Sequence, residues 1–366
     1  MNAPQRMGPH AKGQVVLVLQ GGGALGAYQA GVYDALAAAG IEPDWVIGTS
    51  IGAINAALIA GNPAEKRLPR MREFWQRVEQ DSPLGAFATF TRGIRAFFAP
   101  RALAWGGVHA RVGLDAASYY STEPLRETLS ELVEDTTFSR AMRLTVGAVN
   151  VRNSRMRYFD SRDERLAIDH VMASGALPPA FPAIRIDGEP YWDGGVYSNT
   201  PIEAVLEDKP RRDSVIFSVN VWQPTGPEPQ SIWQAMGRQK DIQYASRADS
   251  HIEKQRQIHR LRHVIRELTK KLPPDMQEDA YCRELASWGC GTIMHIVRLL
   301  APALDSEDYW KDIDFTAGGI RARWEAGFTD TQRMIERAPW ETEVDPMEGV
   351  IVHELSARSH DQVMTV

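Results

Sequence analysis

Residues 48–52 form a motif that could carry nucleophilic chemistry. They read Gly48-Thr49-Ser50-Ile51-Gly52, a Gly-x-Ser-x-Gly pattern, between the apolar stretch Trp45–Ile47 and an alanine-rich stretch. A serine on a tight strand-to-helix turn is held clear of the sheet, and the positive end of the next helix faces its hydroxyl. The pattern therefore predicts that Ser50 is a nucleophile and that Gly48 and Gly52 permit the turn. The alternative is an ordinary turn serine.

A glycine-rich turn precedes this motif and could bind a negative group. Gly21-Gly22-Gly23-Ala24-Leu25-Gly26 follows the apolar run Val15–Leu19. The spacing matches the fingerprint of dinucleotide sites, whose acidic ribose ligand about twenty residues on would be Glu42 or Asp44. The backbone N–H groups of Gly21, Gly22 and Gly23 could instead hold the oxyanion that forms when Ser50 attacks a carbonyl. Because the second strand ends in the serine motif, we expect an oxyanion hole.

A nucleophilic serine needs a base, and histidine is the usual one. The sequence has nine histidines, at positions 10, 109, 170, 251, 259, 263, 295, 353 and 360. None follows a late strand near Ser50, where the histidine of a catalytic triad in an α/β-hydrolase would stand. We therefore expect structural or solvated histidines, and a catalytic role is hardest to dismiss for His170.

Asp193 is the stronger candidate for the base. It follows Tyr191-Trp192 at the end of a predicted strand, and Gly194-Gly195 turns the chain away without covering the carboxylate. An Asp-Gly-Gly sequence is also a favourable plain turn, so a structural role remains open on the residues alone.

The surrounding elements indicate a mainly parallel sheet. Val15–Leu19 reads as a strand buried on both faces, and a helix from Ala27 to Ala39 follows the glycine turn. A second strand and a helix from Ile51 to Ala60 come next, and repeated strand–turn–helix units are typical of parallel sheets with helical crossovers. Further strands are predicted at 144–151, 157–160 and 215–221, the last of which we expect to close the sheet.

The segment 67–137 is less regular and rich in aromatic residues. It is predicted either to pack its aromatics on the sheet or to form a lid or acyl-binding wall. Its aromatic side chains include Trp75, Phe87, Phe90, Phe97, Phe98 and Trp105.

Residues 223–366 are predicted to form a mostly helical C-terminal extension. A proline-rich linker at 223–229 precedes one long helical pattern from Ser231 to Leu272. Residues 238–271 hold ten Lys or Arg against four Asp or Glu, so this helix could contact an anionic membrane surface or could present an ordinary solvated face. Strands at 292–300 and 349–355 and a helix at 315–337 complete the prediction.

Composition narrows the classes of function. The 366-residue chain has a net charge of −6, which does not indicate nucleic-acid binding. Cys282 and Cys290 make neither a disulfide framework nor a zinc cluster, and we expect no metal and no cofactor. No stretch is apolar and long enough to span a bilayer. We expect a flexible N-terminus at 1–12 and a cytoplasmic protein, with at most peripheral contact at the inner membrane surface.

Several blocks together resemble one known family. The glycine turn, the serine motif, Ala173-Ser174-Gly175-Ala176, Asp193-Gly194-Gly195 and Asn199-Thr200-Pro201 resemble, in order and spacing, the patatin-like phospholipase family. The resemblance covers residues 13–222 and implies a three-layer α/β/α catalytic domain. It implies lipid acyl hydrolysis without metal by a Ser50–Asp193 dyad. By the same resemblance Gly22, Gly23 and Ile51 supply oxyanion donors, and the C-terminal extension is similar to that of a bacterial subgroup.

One position departs from the family pattern and widens the choice of substrate. Many members carry a basic residue just before the last glycine of the turn, where this chain has Leu25. Besides a lipid, the ester could therefore be another hydrophobic one, such as a hydroxyalkanoate oligomer. An acyltransferase is disfavoured because such enzymes pair the serine with a histidine. A membrane-binding or partner-binding module with a weak site is the alternative from a different class.

Overall fold

The computed structural model describes residues 8–79, 113–114, 118, 121–139, 142–304, 309–345 and 347–354. Most of the aromatic segment 67–137, predicted either to pack on the sheet or to form a lid, lies outside the described residues, including Phe87, Phe97 and Trp105. The predicted flexible N-terminus lies largely outside them as well.

The described chain forms a nine-stranded, mainly parallel sheet in the order β5-β6-β3-β2-β1-β7-β8-β9, with β4 also paired to β3. Strands β1, β2, β3, β7, β8 and β9 pair in parallel, whereas β4 and β6 run antiparallel to β3, and β5 antiparallel to β6. This confirms the predicted fold class. The strands are β1 Gln14–Leu19, β2 Trp45–Gly48, β3 Arg143–Asn150, β4 Met156–Asp160, β5 Ile184–Ile186, β6 Glu189–Asp193, β7 Ser214–Asn220, β8 Met294–Leu300 and β9 Val350–Glu354.

The prediction that residues 215–221 close the sheet is wrong. Strand β7 pairs in parallel with β8, and β8 pairs with β9, so the C-terminal segment adds two strands beyond it. Both strands had been predicted, at 292–300 and 349–355, but not as part of this sheet. A hydrophobic β7 with an open edge would leave its backbone groups unpaired, and β8 supplies their partners.

The strands at the centre of the sheet are apolar on both faces because helices cover both sides. In β1, Val15, Leu17 and Leu19 belong to one apolar core, and Val16 and Val18 belong to the core on the opposite face. The two-residue period of a strand therefore divides a continuous hydrophobic run between two layers.

Helices form the outer layers of the described structure. They are α1 Ala27–Ala38, α2 Ile51–Ala60, α3 Ala64–Arg77, α4 Glu123–Leu132, α5 Ile168–Ser174, α6 Glu203–Leu206, α7 Ile232–Thr269, α8 Pro274–Glu278, α9 Ala280–Ala286 and α10 Ala317–Arg337. Helices α1 and α2 pack on one face, while Val205 of α6 and Ile252 of α7 pack on the other. Among the described helices, none has both the length and the apolar composition that crossing a bilayer requires.

The long helix α7 buries only part of its apolar residues. Ala245, Ala248 and Ile252 are buried, but Leu261 and Leu268 are 63% and 60% exposed. Beyond Ile252 the buried positions are polar, namely Gln255, His259 and His263. They face hydrogen-bonding groups: Gln255 donates to Glu207, and ring nitrogens of the histidines contact the carbonyls of Leu206 and Thr292.

Helix α10 crosses α1 closely, and one glycine on each helix permits the contact. A Cβ on Gly31 would lie 1.9 Å from the carbonyl oxygen of Trp324, and one on Gly327 would lie 2.1 Å from that of Tyr28. Trp324 Nε1 also donates to Asp34 Oδ2 at 2.9 Å, and the hydroxyl of Tyr28 bonds to Asp330. The C-terminal segment is therefore fixed to the helix that follows the glycine turn.

We expect Gly327→Ala to destabilise the protein, because the new methyl group would collide with backbone and force the two helices apart. The cost should be about 1–3 kcal/mol. Gly318→Ala is the matched control, since a Cβ at Gly318 meets nothing within 4 Å. Urea denaturation of both variants measures the effect, and equal stability of Gly327→Ala and wild type would contradict the close crossing.

Candidate active site

The ends of neighbouring parallel strands bring Ser50 and the glycine turn together. Leu19 of β1 pairs with Gly48 of β2, so the turn after β1 and the turn after β2 emerge at the same edge of the sheet. Ser50 adopts φ 56° and ψ −126°, a conformation that L-residues rarely take. A Cβ on Gly48 would lie 2.3 Å from the carbonyl oxygen of Gly52, and one on Gly52 would lie 2.2 Å from that of Leu19. Both motif glycines are therefore required for the tight turn.

Ser174 holds the strained turn in place. The N–H of Ser50 donates to both the carbonyl oxygen and the Oγ of Ser174, each at 3.1 Å. The hydroxyl of Ser174 donates in turn to the carbonyl of Gly147 on β3, at 2.7 Å. Ser174 lies in the motif Ala173-Ser174-Gly175-Ala176, from which no role for its hydroxyl could be predicted. The structure shows that it connects the serine turn to the central sheet.

Asp193 ends β6 and faces the nucleophile. Ala148 of β3 is its register partner, its side chain is 1% exposed, and the N–H of Gly195 donates to Oδ1 at 2.7 Å. Burial raises the pKa of the carboxyl to about 7, although hydrogen bonding with the Ser50 hydroxyl and with the Gly195 N–H lowers it. A Cβ on Gly194 would lie 2.4 Å from the carbonyl oxygen of Gly147, so this turn has no room for a side chain.

Gly21 does not fit the prediction that its N–H is an oxyanion donor. Its N–H donates to the carbonyl of Asn199 at 3.1 Å, and its carbonyl accepts from Asn199 Nδ2 at 2.9 Å and from Trp222 Nε1 at 2.7 Å. A Cβ on Gly21 would lie 3.0 Å from that of Ser50. Gly21 therefore lets the glycine turn approach Ser50 closely. Its N–H is not open to a ligand, because it already has a partner.

Three other N–H groups remain open at the site. Within the described residues, the N–H groups of Gly22, Gly23 and Ile51 have no acceptor. Ile51 opens α2 directly after Ser50, so its N–H lies at the positive end of that helix. Gly23 has φ 55°, and a Cβ there would lie 2.1 Å from the carbonyl oxygen of Asp312.

Gln20 is a buried site residue that the sequence analysis did not identify. Its side chain is fully buried, and Oε1 accepts from the N–H groups of Val221 and Trp222 at 2.5 and 3.2 Å. Its Nε2 donates to Thr200 Oγ1 at 2.7 Å and to the carbonyl of Tyr244 at 3.1 Å. A glutamine that directly follows a strand and precedes the glycines was the available signal, but its partners lie about two hundred residues away in the chain.

No described histidine hydrogen-bonds Ser50 or Asp193. Nδ1 of His170 accepts from the N–H of Ala167 at 2.9 Å, its ring packs edge-on against Phe159, and burial lowers its pKa. His170 is therefore held by the start of its own helix.

The acidic residues of the dinucleotide alternative have structural partners. Glu42 pairs with Arg67 at 2.6 Å, and Asp44 Oδ2 accepts from the N–H of Val15 at 2.8 Å. Both precede β2 and so lie at the sheet edge away from the glycine turn. Within the described part of the chain, no group of three or more His, Cys, Asp or Glu side chains is placed to hold a metal ion.

Leu25 lies in the hydrophobic core and is 2% exposed. It lines a small cavity with Tyr28, Val221 and Arg323, the last of which comes from α10. The position before the last glycine of the turn therefore contributes packing to the site and no charge.

We expect Ser174→Ala to lower the free energy of unfolding by about 1–3 kcal/mol, because a buried backbone carbonyl loses its hydroxyl donor. Ser130→Ala is the matched control, since this exposed serine bonds only the Arg126 carbonyl of its own helix, at 2.8 Å. Chemical denaturation compares them. Equal loss in the two variants would show that Ser174 does not support the turn.

The raised pKa of Asp193 predicts a pH-dependent stability. The folded carboxyl titrates near pH 7 and an unfolded one near 3.8, so stability is lost as the pH rises from about 3.8 to about 7 and levels off above that. Asp193→Asn should thus raise the free energy of unfolding by roughly 2–4 kcal/mol at pH 8 and change it little at pH 4. Denaturation at both pH values, with the exposed Asp187→Asn as control, measures this. Equal effects of Asp193→Asn at both would contradict a buried charge.

Two family models match the chain. One, described as patatin-like phospholipase, matches residues 17–206, and another, described as patatin phospholipase, matches residues 242–347. A relative, lysophospholipase nte1 of Aspergillus terreus, is 42% identical over 92 residues. That match covers 22% of this chain and only 6% of the relative.

Among solved structures, VipD from Legionella pneumophila is similar with a TM-score of 0.39 and 14% identity. The match covers 89% of this chain and 67% of that one.

The first family model spans more than half of the 366 residues and includes the serine motif, the glycine turn and Asp193. The chain therefore belongs to the patatin-like phospholipase family.

Proposed function

We propose that the protein is a serine lipid acyl hydrolase that cleaves carboxylic esters through a Ser50–Asp193 dyad. The observation that carries this proposal is the buried carboxylate of Asp193, whose pKa is raised to about 7 and which faces the hydroxyl of Ser50. A carboxylate with such a pKa can act as a general base near neutral pH. The region 13–222 supplies both members of the dyad.

In the first step the Oγ of Ser50 attacks the carbonyl carbon of the ester while Asp193 accepts the hydroxyl proton. The carbonyl π electrons move to oxygen and form an oxyanion. The open N–H groups of Gly22, Gly23 and Ile51 are the donors for that oxygen, and the dipole of α2 adds positive potential. One such donor is typically worth about 10²–10³ in rate.

Collapse of this intermediate breaks the bond between the carbonyl carbon and the alcohol oxygen. Asp193 returns its proton to the leaving alcohol, and an acyl-serine remains on Ser50. In the second half Asp193 accepts a proton from water, whose oxygen attacks the acyl-serine. The carboxylic acid leaves, and the proton on Asp193 returns to the Oγ of Ser50.

The dyad works without a histidine because burial changes the properties of the aspartate. An exposed aspartate with a pKa of about 3.9 is a poor base for an alcohol. Desolvation raises the pKa of Asp193 and so strengthens its attraction for the serine proton. Gly195 holds Oδ1 through its N–H, which fixes the orientation that a third residue provides in a triad.

A lipid ester is the proposed substrate class. The family of this chain and the relative named lysophospholipase both point to it, whereas Leu25 leaves other hydrophobic esters, including hydroxyalkanoate oligomers, as the second candidate. An acyltransferase has less support, because no described histidine contacts the dyad. Hydrolysis that depends on Ser50 would exclude a pure binding module.

We further propose a cytoplasmic protein that meets lipid only at a surface. The basic face of residues 238–271 offers fewer free charges than the sequence suggests. Lys240 pairs with Asp312, Arg256 with Glu253, and Lys270 with Glu267. Peripheral contact through this helix therefore stays a prediction, to be tested by vesicle sedimentation.

The test of the proposed function is hydrolysis of p-nitrophenyl esters of graded chain length and of phosphatidylcholine vesicles. Ser50→Ala and Asp193→Asn should each lower kcat by about 10³-fold or more, because attack loses its nucleophile or its base. For wild type, kcat/KM should rise with pH and level off above about 7, where Asp193 is ionised.

Each variant must keep the wild-type circular dichroism spectrum, and Ser130→Ala and Asp187→Asn serve as exposed controls. Activity that survives Asp193→Asn would place the base elsewhere. Wild type without turnover on any ester would overturn the proposed function.

A further inference from the structure

We propose that Tyr244, in the segment beyond the predicted catalytic region, is a substrate-positioning residue whose hydroxyl donates a hydrogen bond to the ester bound at Ser50. This inference rests on the proposed function and deepens it. It assigns part of the site to helix α7, which carried no catalytic role in the sequence analysis.

The backbone of Tyr244 is fixed to the glycine turn. Its carbonyl accepts from Nε2 of the buried Gln20 at 3.1 Å, and Gln20 is the residue that directly precedes Gly21. The same amide group holds Val221 and Trp222 through its Oε1. A saturated, fully buried amide is costly to disturb, so the position of Tyr244 relative to the turn is well determined.

The ring of Tyr244 reaches the nucleophile through only two intervening residues. It packs on Trp222 with 4.9 Å between ring centroids. Nε1 of Trp222 donates to the carbonyl of Gly21 at 2.7 Å, and a Cβ on Gly21 would stand 3.0 Å from that of Ser50. The tyrosine thus lies in the same layer of packing as the serine turn.

The hydroxyl of Tyr244 has no hydrogen-bond partner among the described residues. Burial raises its pKa, and the negative charges of Asp193 and Asp312 raise it further. The phenol therefore stays protonated and remains a hydrogen-bond donor. A half-buried donor at this place is satisfied when an oxygen of the bound ester accepts from it.

Two further contacts of the C-terminal segment support the same arrangement. Lys311 is 8% exposed and pairs with Asp241, one turn before Tyr244, at 2.7 Å. Its Nζ lies 5.4 Å from the ring centroid of Trp222. The carbonyl of Asp312 covers Gly23 so closely that no Cβ would fit. The glycine turn is therefore built against residues 241–244 and 311–312, and the region 13–222 alone presents an incomplete site.

The test is the steady-state kinetics of Tyr244→Phe on a p-nitrophenyl ester, with KM and kcat determined separately. Phenylalanine keeps the ring on Trp222 and removes only the hydroxyl. A hydrogen bond made equally in the ground state and the transition state should raise KM by about 3- to 10-fold and leave kcat within about 2-fold. Tyr281→Phe is the matched control, because Tyr281 is in the same segment and 67% exposed.

A purely structural role would instead lower the melting temperature or kcat without raising KM, and that result would overturn the inference. If wild-type turnover requires Ser50 and Tyr244→Phe has the same KM and kcat as wild type, the inference is overturned, while the proposed function stands. If the wild-type protein shows no turnover that requires Ser50, both the inference and the proposed function are refuted.

Discussion

The buried carboxylate of Asp193 is the constraint on which the site depends. Its side chain is 1% exposed, and among the described residues the one backbone N–H that donates to it is that of Gly195. Removing a carboxylate from water is expensive, and one short hydrogen bond of 2.7 Å offsets only part of that cost. The protein therefore holds this group in a state whose pKa lies near neutrality. The same desolvation cost weakens the fold at high pH and, in the proposed dyad, strengthens Asp193 as a base.

The sheet can hold this buried carboxylate because hydrogen bonds between residues far apart in the sequence connect the strands around Asp193. Asp193 is at the end of β6, whose partner β3 also accepts the hydroxyl of Ser174 through Gly147. Ser174 accepts from the N–H of Ser50, so Ser50 and Asp193 are both connected to strand β3.

The sequence predicted the parts of this site that are encoded locally. The serine turn, the glycine turn and the turn after β6 are each signalled by glycines next to an apolar strand, and the structure brings Ser50 and Asp193 together. The sequence could not reveal the contacts of Gln20 and Ser174, or those on which the proposal for Tyr244 rests, because their partners lie far away in the chain. For the same reason it could not reveal that the N–H of Gly21 has an acceptor, since Asn199 lies 178 positions further on. The sequence also predicted too few strands in this sheet, because the residue pattern of a strand does not indicate which sheet edge the strand will join.

The C-terminal segment shows why a boundary drawn from composition is incomplete. Prolines after Trp222 mark a change of chain direction, yet the chain returns to pair β8 with β7 and to place α10 on α1. An oxyanion hole needs N–H groups that point into the site and have no acceptor within the protein. A glycine that supplies such a group has no side chain whose packing would hold its backbone in place. Their conformation must be held from outside. Asp312 against Gly23, Trp222 against the carbonyl of Gly21, and Tyr244 against Trp222 provide that support. Under the proposed function, Trp222 and the C-terminal residues Tyr244 and Asp312 thus hold the glycine turn in the conformation that binds the oxyanion.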